Sequence, residues 1–330
     1  MQQPIIAVDL RGGALENTHP GAICMINDQK EVIYEKGDTS QPIFYRSAMK
    51  PIQAIPAFIA NVVDEFQLTM EEAALLMASQ RGEIYHQEAL VNLHKKLGIA
   101  EETLVCGESY PLNDAPKAQY IWDHQPKRKL MHNCAGKHLG FLAYAKAKGY
   151  DLKTYDKPNH PLQQEIYKHL KSLTEAEESE IIQGMDGCGA PVYGVPLKNM
   201  ALSYLKFVAP ELIPDEETRK AVVQIGEVMQ AHPEIIASHQ FICTELLKDD
   251  NIIAKGGAQG VYCLALKKER ISIALKVHSG SEDVWPILVA ELLKKINYER
   301  TETIENLYRI RTSAILNDSG KPIGETKILL

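Results

Sequence analysis

Residues 252–277 read IIAKGGAQGVYCLALKKERISIALKV. Apolar, strand-like runs flank the charged cluster Lys267-Lys268-Glu269-Arg270, which predicts a hairpin loop between strands. The segment Lys255-Gly256-Gly257 lies at the point where a strand enters a turn. Similar β signals appear at the opposite end of the chain. Runs at 4–10, 22–26 and 31–34 are separated by turn residues, with Asn27-Asp28 as a hairpin. Between the two ends the pattern is helical from Ser47 onward. Thr69-x-x-Glu72 ahead of AALLMA predicts a capping box, and further helices are expected near 86–96, 137–148, 161–172, 197–208, 216–230 and 239–248. A helix near 283–296 and a terminal strand at 326–330 complete the reading. Strands at both ends with helices between predict an α+β fold: one antiparallel sheet from both chain ends carrying a large helical insert.

Length alone, at 330 residues with 45% hydrophobic, is compatible with two domains. No Gly/Ser or Pro-rich linker divides the chain and no repeat occurs, so a single domain over 1–330 is expected. Basic residues number 36 against 43 acidic, a net charge of −7, and aromatics are 7%. That balance argues against binding nucleic acid or an anionic membrane through the overall field. The stretches AALLMA and VWPILVAELL are far shorter than the roughly 18 residues that span a bilayer. MQQPIIAVDL lacks a basic region, an apolar stretch and a cleavage site, and reads as a first strand. Six scattered cysteines form no Cys-x-x-Cys pair, so thiols in a reducing cytoplasm are expected. TEAEESE (174–180) reads as a solvated helix end.

Ser47-Ala48-Met49-Lys50-Pro51 is the first candidate for chemistry. Serine is a good N-cap, and residues three apart share a helix face, so Lys50 is expected to reach the Ser47 hydroxyl. An exposed lysine is neutral about one time in a few thousand at pH 7; burial near another cation would make it a usable base. A helix N-terminus would stabilise an oxyanion beside Ser47. Ser203-Tyr204-Leu205-Lys206 has the same spacing inside an amphipathic pattern, where it reads as ordinary helix surface. Serine β-lactamases and penicillin-binding proteins use Ser-x-x-Lys, then a second serine, then Lys-Thr-Gly on a strand. Ser47, Ser79 and Lys255-Gly256-Gly257 follow that order. In such an arrangement the second pair shuttles protons, and the N–H just past the glycines, here that of Ala258, completes the oxyanion hole.

His132-Asn133-Cys134-Ala135-Gly136-Lys137-His138 and Asp186-Gly187-Cys188-Gly189-Ala190-Pro191 are polar, glycine-containing turns. Two thiols and two histidines suit Zn²⁺, but the spacing fits no standard zinc module, and the residues alone favour buried thiols over a metal site. A cysteine nucleophile is disfavoured, since histidines two and four residues away are rarely placed as its base.

Six segments in order then resemble the rhizobial-type (class 3) L-asparaginase family, which is related in fold to the serine β-lactamases. They are LRGGALENTHPGAI, YRSAMKPIQAIP, ASQRGE, HNCAGKH, DGCGAPVY and AKGGAQGVYC, spanning Arg11 to at least Leu264. The resemblance implies hydrolysis of L-asparagine to aspartate and ammonia by two serine–lysine pairs, Ser47 with Lys50 and Ser79 with Lys255. It implies a zinc site of Cys134, Lys137 and Cys188, weaker at low pH because a bound lysine must be neutral. It places Arg46, His138 and Asp186 along the substrate pocket, Arg46 suiting a carboxylate and Asp186 an α-amino group. Homodimers are implied as well. Gln80 and Arg81 depart from the family's pattern, which more often has histidine and a small polar residue there. They bring an extra cation near Ser79, which could lower a lysine pKa or alter substrate range. The alternatives are a related serine-dependent amidase or glutaminase, or a non-catalytic zinc- or amino-acid-binding protein on the same fold.

Two decoys are set aside. Arg11-Gly12-Gly13-Ala14 lacks both threonines of the threonine-dependent asparaginases, and no Thr-Asp-Thr follows. GGAQG (256–260) lacks the Lys-Ser/Thr ending of a phosphate loop.

Overall fold

The computed structural model describes residues 3–330, so Met1 and Gln2 of the expected first strand lie outside the described residues. Eleven strands occur: Ile5–Arg11 (β1), Ala14–Asn27 (β2), Val32–Lys36 (β3), Pro42–Phe44 (β4), Ile182–Met185 (β5), Pro191–Pro196 (β6), Ile252–Gly256 (β7), Val261–Leu266 (β8), Ile271–Val277 (β9), Ala314–Leu316 (β10) and Pro322–Ile328 (β11). The main sheet runs β10-β11-β1-β2-β9-β8-β7, with β3 also on β2. Every pairing in it is antiparallel. The sheet is therefore built from both chain ends around a long helical insert, as the sequence predicts.

Both faces of this sheet are covered, which explains the unbroken apolar runs of its central strands. Side chains alternate along a strand. On β2, Ala22, Cys24 and Ile26 join the core against the helical insert, while Ile23 and Met25 join a second core beneath the C-terminal helices. On β8, Val261, Cys263 and Ala265 face the first core, and Tyr262, Leu264 and Leu266 the second. Burying a side chain of this size contributes about 1.5–3 kcal/mol.

The Thr69–Glu72 capping box is present, the Thr69 hydroxyl accepting the Glu72 N–H at 3.2 Å. Several elements depart from expectation. A second sheet, β4-β6-β5, lies within the helical region. A helix at Thr301–Ile310 was not expected; it buries only Thr303, Ile304 and Leu307 among charged neighbours. The last strand begins at Pro322 rather than 326. The helix expected at 239–248 is shorter, Ile242–Leu247. In TEAEESE, Ala176 is buried, and Glu175 pairs with Lys30 and Lys206 at 2.8 and 2.7 Å.

Ser203 and Lys206 are the sharpest correction. Their segment packs between sheet and helical core, so neither is surface: they are 0% and 1% exposed. Ser203 Oγ shares a 2.7 Å hydrogen bond with Tyr45 Oη and donates to the Met200 carbonyl. The Lys206 ammonium donates to the Ser172 carbonyl and to Glu175, both at 2.7 Å. This Ser-x-x-Lys is a packing element.

Candidate active site

Ser47 does not cap a helix. It sits inside a tight turn, Arg46–Met49, and the helix proper, Lys50–Ile59, begins with Lys50 and Pro51. Arg46 adopts the left-handed conformation at φ 52°, uncommon for a residue with a Cβ. Such strain persists where surrounding structure enforces it, and it clusters at functional sites. The turn directs the Lys50 side chain inward, away from the serine three residues before it.

There the lysine meets Ser79. The Lys50 ammonium donates to the Ala78 carbonyl at 2.6 Å, to Ser79 Oγ at 3.1 Å and to the Asn133 carbonyl at 3.3 Å. Lys255, on β7, reaches the same Ser79 Oγ at 2.8 Å and the Gly256 carbonyl at 2.8 Å. Ser79 follows the Met70–Leu75 helix and is fixed by its N–H on the Ile236 carbonyl at 2.8 Å. One serine thus bridges two lysines, whereas the expected Ser47–Lys50 hydrogen bond is not among those formed.

Lys50 and Lys255 are 0% and 1% exposed, and no carboxylate lies within 4.0 Å of either among the described residues. Taking an ammonium out of water disfavours its charged form. Burial lowers the pKa of both. Lys255 is pushed down to about 8, chiefly by burial, with the thiol of Cys243 opposing and the Lys50 charge assisting. Lys50 is depressed mainly by burial, with Cys134 opposing and Lys137 assisting.

Ser47, Ser79, Lys255, Gly257 and Ala258 line one cavity of about 300 Å³. Among the described residues, the N–H groups of Ser47 and Ala258 have no protein acceptor. The glycine at 257 allows this edge to approach the serine turn: a Cβ there would stand 2.4 Å from the Tyr45 carbonyl oxygen. Two free donors therefore face the space above Ser47, the requirement for stabilising an oxyanion.

Arg46, Asp186 and His138 lie to another side and do not line that cavity. Arg46 Nε donates to Asp186 Oδ1 at 2.7 Å, joining residues 140 positions apart. Burial would raise the Asp186 pKa, but Lys137 and Arg46 outweigh it and hold the carboxyl below its usual range. His138 is fully buried, and burial, assisted by the Lys137 charge, pushes its pKa well below the usual imidazole range. Its Nδ1 shares a hydrogen bond with Tyr155 Oη at 2.8 Å, while Nε2 has no partner.

Cys134, Cys188 and Asp186 place one donor atom each within 4.8 Å of one another, and Lys137 Nζ is 3.1 Å from Cys188 Sγ. Cys134 is held well below the ordinary thiol range, first by a hydrogen bond from Cys188 and then, against burial, by the charges of Lys50 and Lys137. His132 accepts the Cys134 N–H on Nδ1 at 3.0 Å and is not part of the donor cluster. Gly136 lets the Ala135–Ala147 helix press against Leu75, whose carbonyl oxygen a Cβ would meet at 2.2 Å. The remaining cysteines, Cys24, Cys106, Cys243 and Cys263, are buried thiols.

Gln80 is buried and clamps the neighbouring turn, donating to the Met131 and His132 carbonyls at 3.0 and 2.9 Å. Arg81 lines the cavity together with Leu112, Asn133, Phe241, Glu282 and Trp285. Arg81 and Asn133 lay inside motif segments and Trp285 inside an apolar stretch, whereas Leu112, Phe241 and Glu282 come from stretches without a motif. A Ser279–His19–Asp9 hydrogen-bond chain, at 2.9 and 3.1 Å, resembles a triad. It opens onto none of the cavities described and anchors the loop that carries Glu282.

The family match defines the class, an amidohydrolase. The chain belongs to the L-asparaginase II family, whose model matches residues 7–328. No curated protein matches its sequence. Among solved structures, a β-lactamase from Mycobacterium bovis is similar over 83% of this chain and 94% of its own, at 11% identity and a TM-score of 0.41. A candidate β-lactamase from Bacteroides dorei is similar over 84% and 94%, at 14% identity and 0.47. A Bacillus glutaminase is similar over 85% and 92%, at 11% identity and 0.41. These likenesses carry nothing about chemistry. Among the described residues no helix is long and apolar enough to cross a membrane.

Proposed function

We propose that this protein hydrolyses the side-chain amide of L-asparagine, giving aspartate and ammonia through an acyl-enzyme on Ser47. The observation that carries the reading is the hydrogen-bonded chain Lys50–Ser79–Lys255, opening into the cavity that Ser47 and Ala258 also line. Ser47 Oγ attacks the amide carbon and gives its proton to neutral Lys50. The developing oxyanion takes the N–H groups of Ser47 and Ala258. Through Ser79 the proton passes to Lys255 and on to the amide nitrogen, the C–N bond breaks, and ammonia leaves. Water then cleaves the ester by the reverse relay, restoring the Ser47 hydroxyl. The paired Arg46 and Asp186 support this reading, since they match the carboxylate and ammonium of an amino acid.

The deciding experiment follows ammonia release by the purified protein from asparagine, glutamine and a β-lactam reporter. Turnover of asparagine above the others is expected. Preference for glutamine would make it a glutaminase using the same residues, and asparagine binding without turnover would make it a binding protein.

Proton flow sets a pH signature. The relay needs Lys255 neutral to take up the proton that Lys50 and Ser79 pass on. With a pKa of about 8, Lys255 is neutral in about a tenth of molecules at pH 7 and about nine-tenths at pH 9. The value of kcat/KM for asparagine is therefore expected to rise roughly tenfold between those pH values and then level. A profile flat over that range would remove the relay.

Zinc belongs to the same proposal. Two buried thiols, an amine and a carboxylate within reach of one another form a donor set of the soft kind zinc favours, so the residues fit the ion. Cys134, Cys188 and Lys137 would hold it, with Asp186 beside them. Bound there, it would neutralise the thiolates and tie the two turns together. Cys134→Ser is expected to lower the zinc content of purified protein from about one per chain to near zero by elemental analysis. Equal zinc in variant and parent would place the metal elsewhere.

A further inference from the structure

If ammonia were the only leaving group, the cavity next to Ser79 and Lys255 would be oversized. At about 300 Å³ it holds roughly ten times the share of liquid volume taken by a water-sized molecule. Arg46 and Asp186, which suit the α-groups of the aspartyl part, lie outside its walls. Ser47 and Ala258 line this space where the carbonyl reacts, and it extends past Ser79 and Lys255, which hand the proton to the departing nitrogen, to Arg81, Leu112 and Phe241.

Its far wall carries an unpaired cation. Among the described residues, the only protein acceptor that the Arg81 side chain finds is the Asn113 side-chain oxygen, which Nε reaches at 2.5 Å. The guanidinium lies 4.8 Å over the Phe241 ring. No carboxylate comes within 4.0 Å of it among the described residues, although the group is half-buried. Glu282 shares the cavity, accepts the Gln259 N–H at 3.2 Å and, with Glu83 and Asp114, acts on the guanidinium only from beyond ion-pair distance. A partly desolvated guanidinium with free terminal nitrogens is a ready carboxylate receptor. Reach also fits: Arg81 is two residues beyond Ser79, at most about 7 Å along the chain, which is the length of one or two residues. Leu112, Phe241 and Trp285 supply an apolar flank.

We propose that this cavity is a leaving-group subsite for an amino acid whose carboxylate pairs with Arg81, so that the substrates include β-aspartyl dipeptides. The inference rests on the acyl-enzyme reading above. Ser47 Oγ bonds to the β-carbonyl carbon, its proton travels through the lysine relay to the peptide nitrogen, and the C–N bond breaks. A free amino acid leaves in place of ammonia, and water releases aspartate as before.

Aspartate release is to be measured for asparagine, β-aspartyl-leucine and β-aspartyl-leucinamide. Wild-type protein is expected to cleave the dipeptide with kcat/KM about tenfold above that for its amide, the usual weight of one charge-assisted hydrogen bond. Arg81→Gln should erase this preference, and Arg81→Lys should restore part of it. Cleavage of asparagine without cleavage of the dipeptide overturns the inference while leaving the asparaginase reading intact. So does a carboxylate preference that survives in Arg81→Gln. Failure on all three substrates overturns both. The comparison between substrates on wild-type protein holds even if a variant folds poorly.

Discussion

Ser47→Ala is expected to lower kcat for asparagine by about ten-thousandfold or more, and Lys50→Met by a similar amount. Nucleophile and base act as one unit, so the double variant should be no slower than either single one. The structure makes this a demanding test, because the Lys50 amine rests on Ser79 rather than on Ser47. Catalytic hydrogen bonds are often long or misaligned without substrate and tighten in the complex. Ser79→Ala should therefore slow turnover while still allowing an acyl adduct to form on Ser47, detectable by mass spectrometry after quenching with acid. An adduct found on the peptide containing Ser79 would reverse the roles of the two serines. Ser47 is half-buried and makes no side-chain hydrogen bond, so its truncation should leave the melting temperature within a few degrees.

Much of this site could be read from the chain because its carriers are local. Lys255 is followed by two glycines on a strand whose neighbours are all apolar, and the sheet buries both faces there. Period and composition therefore disclosed the strand, and motif order disclosed its partner serines. The sequence misled where a side chain's direction depends on a turn type. Spacing put Lys50 under Ser47, but the left-handed Arg46 and the tight turn after it send the amine to Ser79. It also misled over Ser203 and Lys206, whose burial is imposed by a sheet from elsewhere in the chain. The Arg46–Asp186 pair spans 140 positions, and Arg81 and Glu282 line one cavity from distant parts of the chain without touching; neither juxtaposition leaves a periodic trace. The β4-β6-β5 sheet escaped because its strands are three to six residues long and carry proline and glycine.

Gly257→Ala is expected to cost about a hundredfold in kcat, with a smaller change in KM, although residue 257 has no side chain to lose. An added Cβ would lie 2.4 Å from the Tyr45 carbonyl oxygen and 3.4 Å from the Ala48 nitrogen. No flexible side-chain end can yield there, since both atoms are backbone. Tyr45 cannot shift freely either: its N–H is bonded to the Tyr193 carbonyl at 3.0 Å, and its ring is wholly buried against Ser203. The strand edge must then retreat from the serine turn, separating the Ala258 N–H from the Ser47 N–H. An oxyanion hole is effective only while both donors point at one atom, and displacement on the order of 1 Å costs about 10²-fold. The substrate anchoring proposed for Arg46 and Asp186 lies outside the displaced edge, which is why KM should move less than kcat. Gly256→Ala is the control, because a Cβ there meets only side-chain carbons of Trp285 and Tyr262 at 3.2 Å, and rings can tilt. If Gly257→Ala keeps parental kcat with unchanged circular dichroism, the Ala258 N–H is not an oxyanion donor.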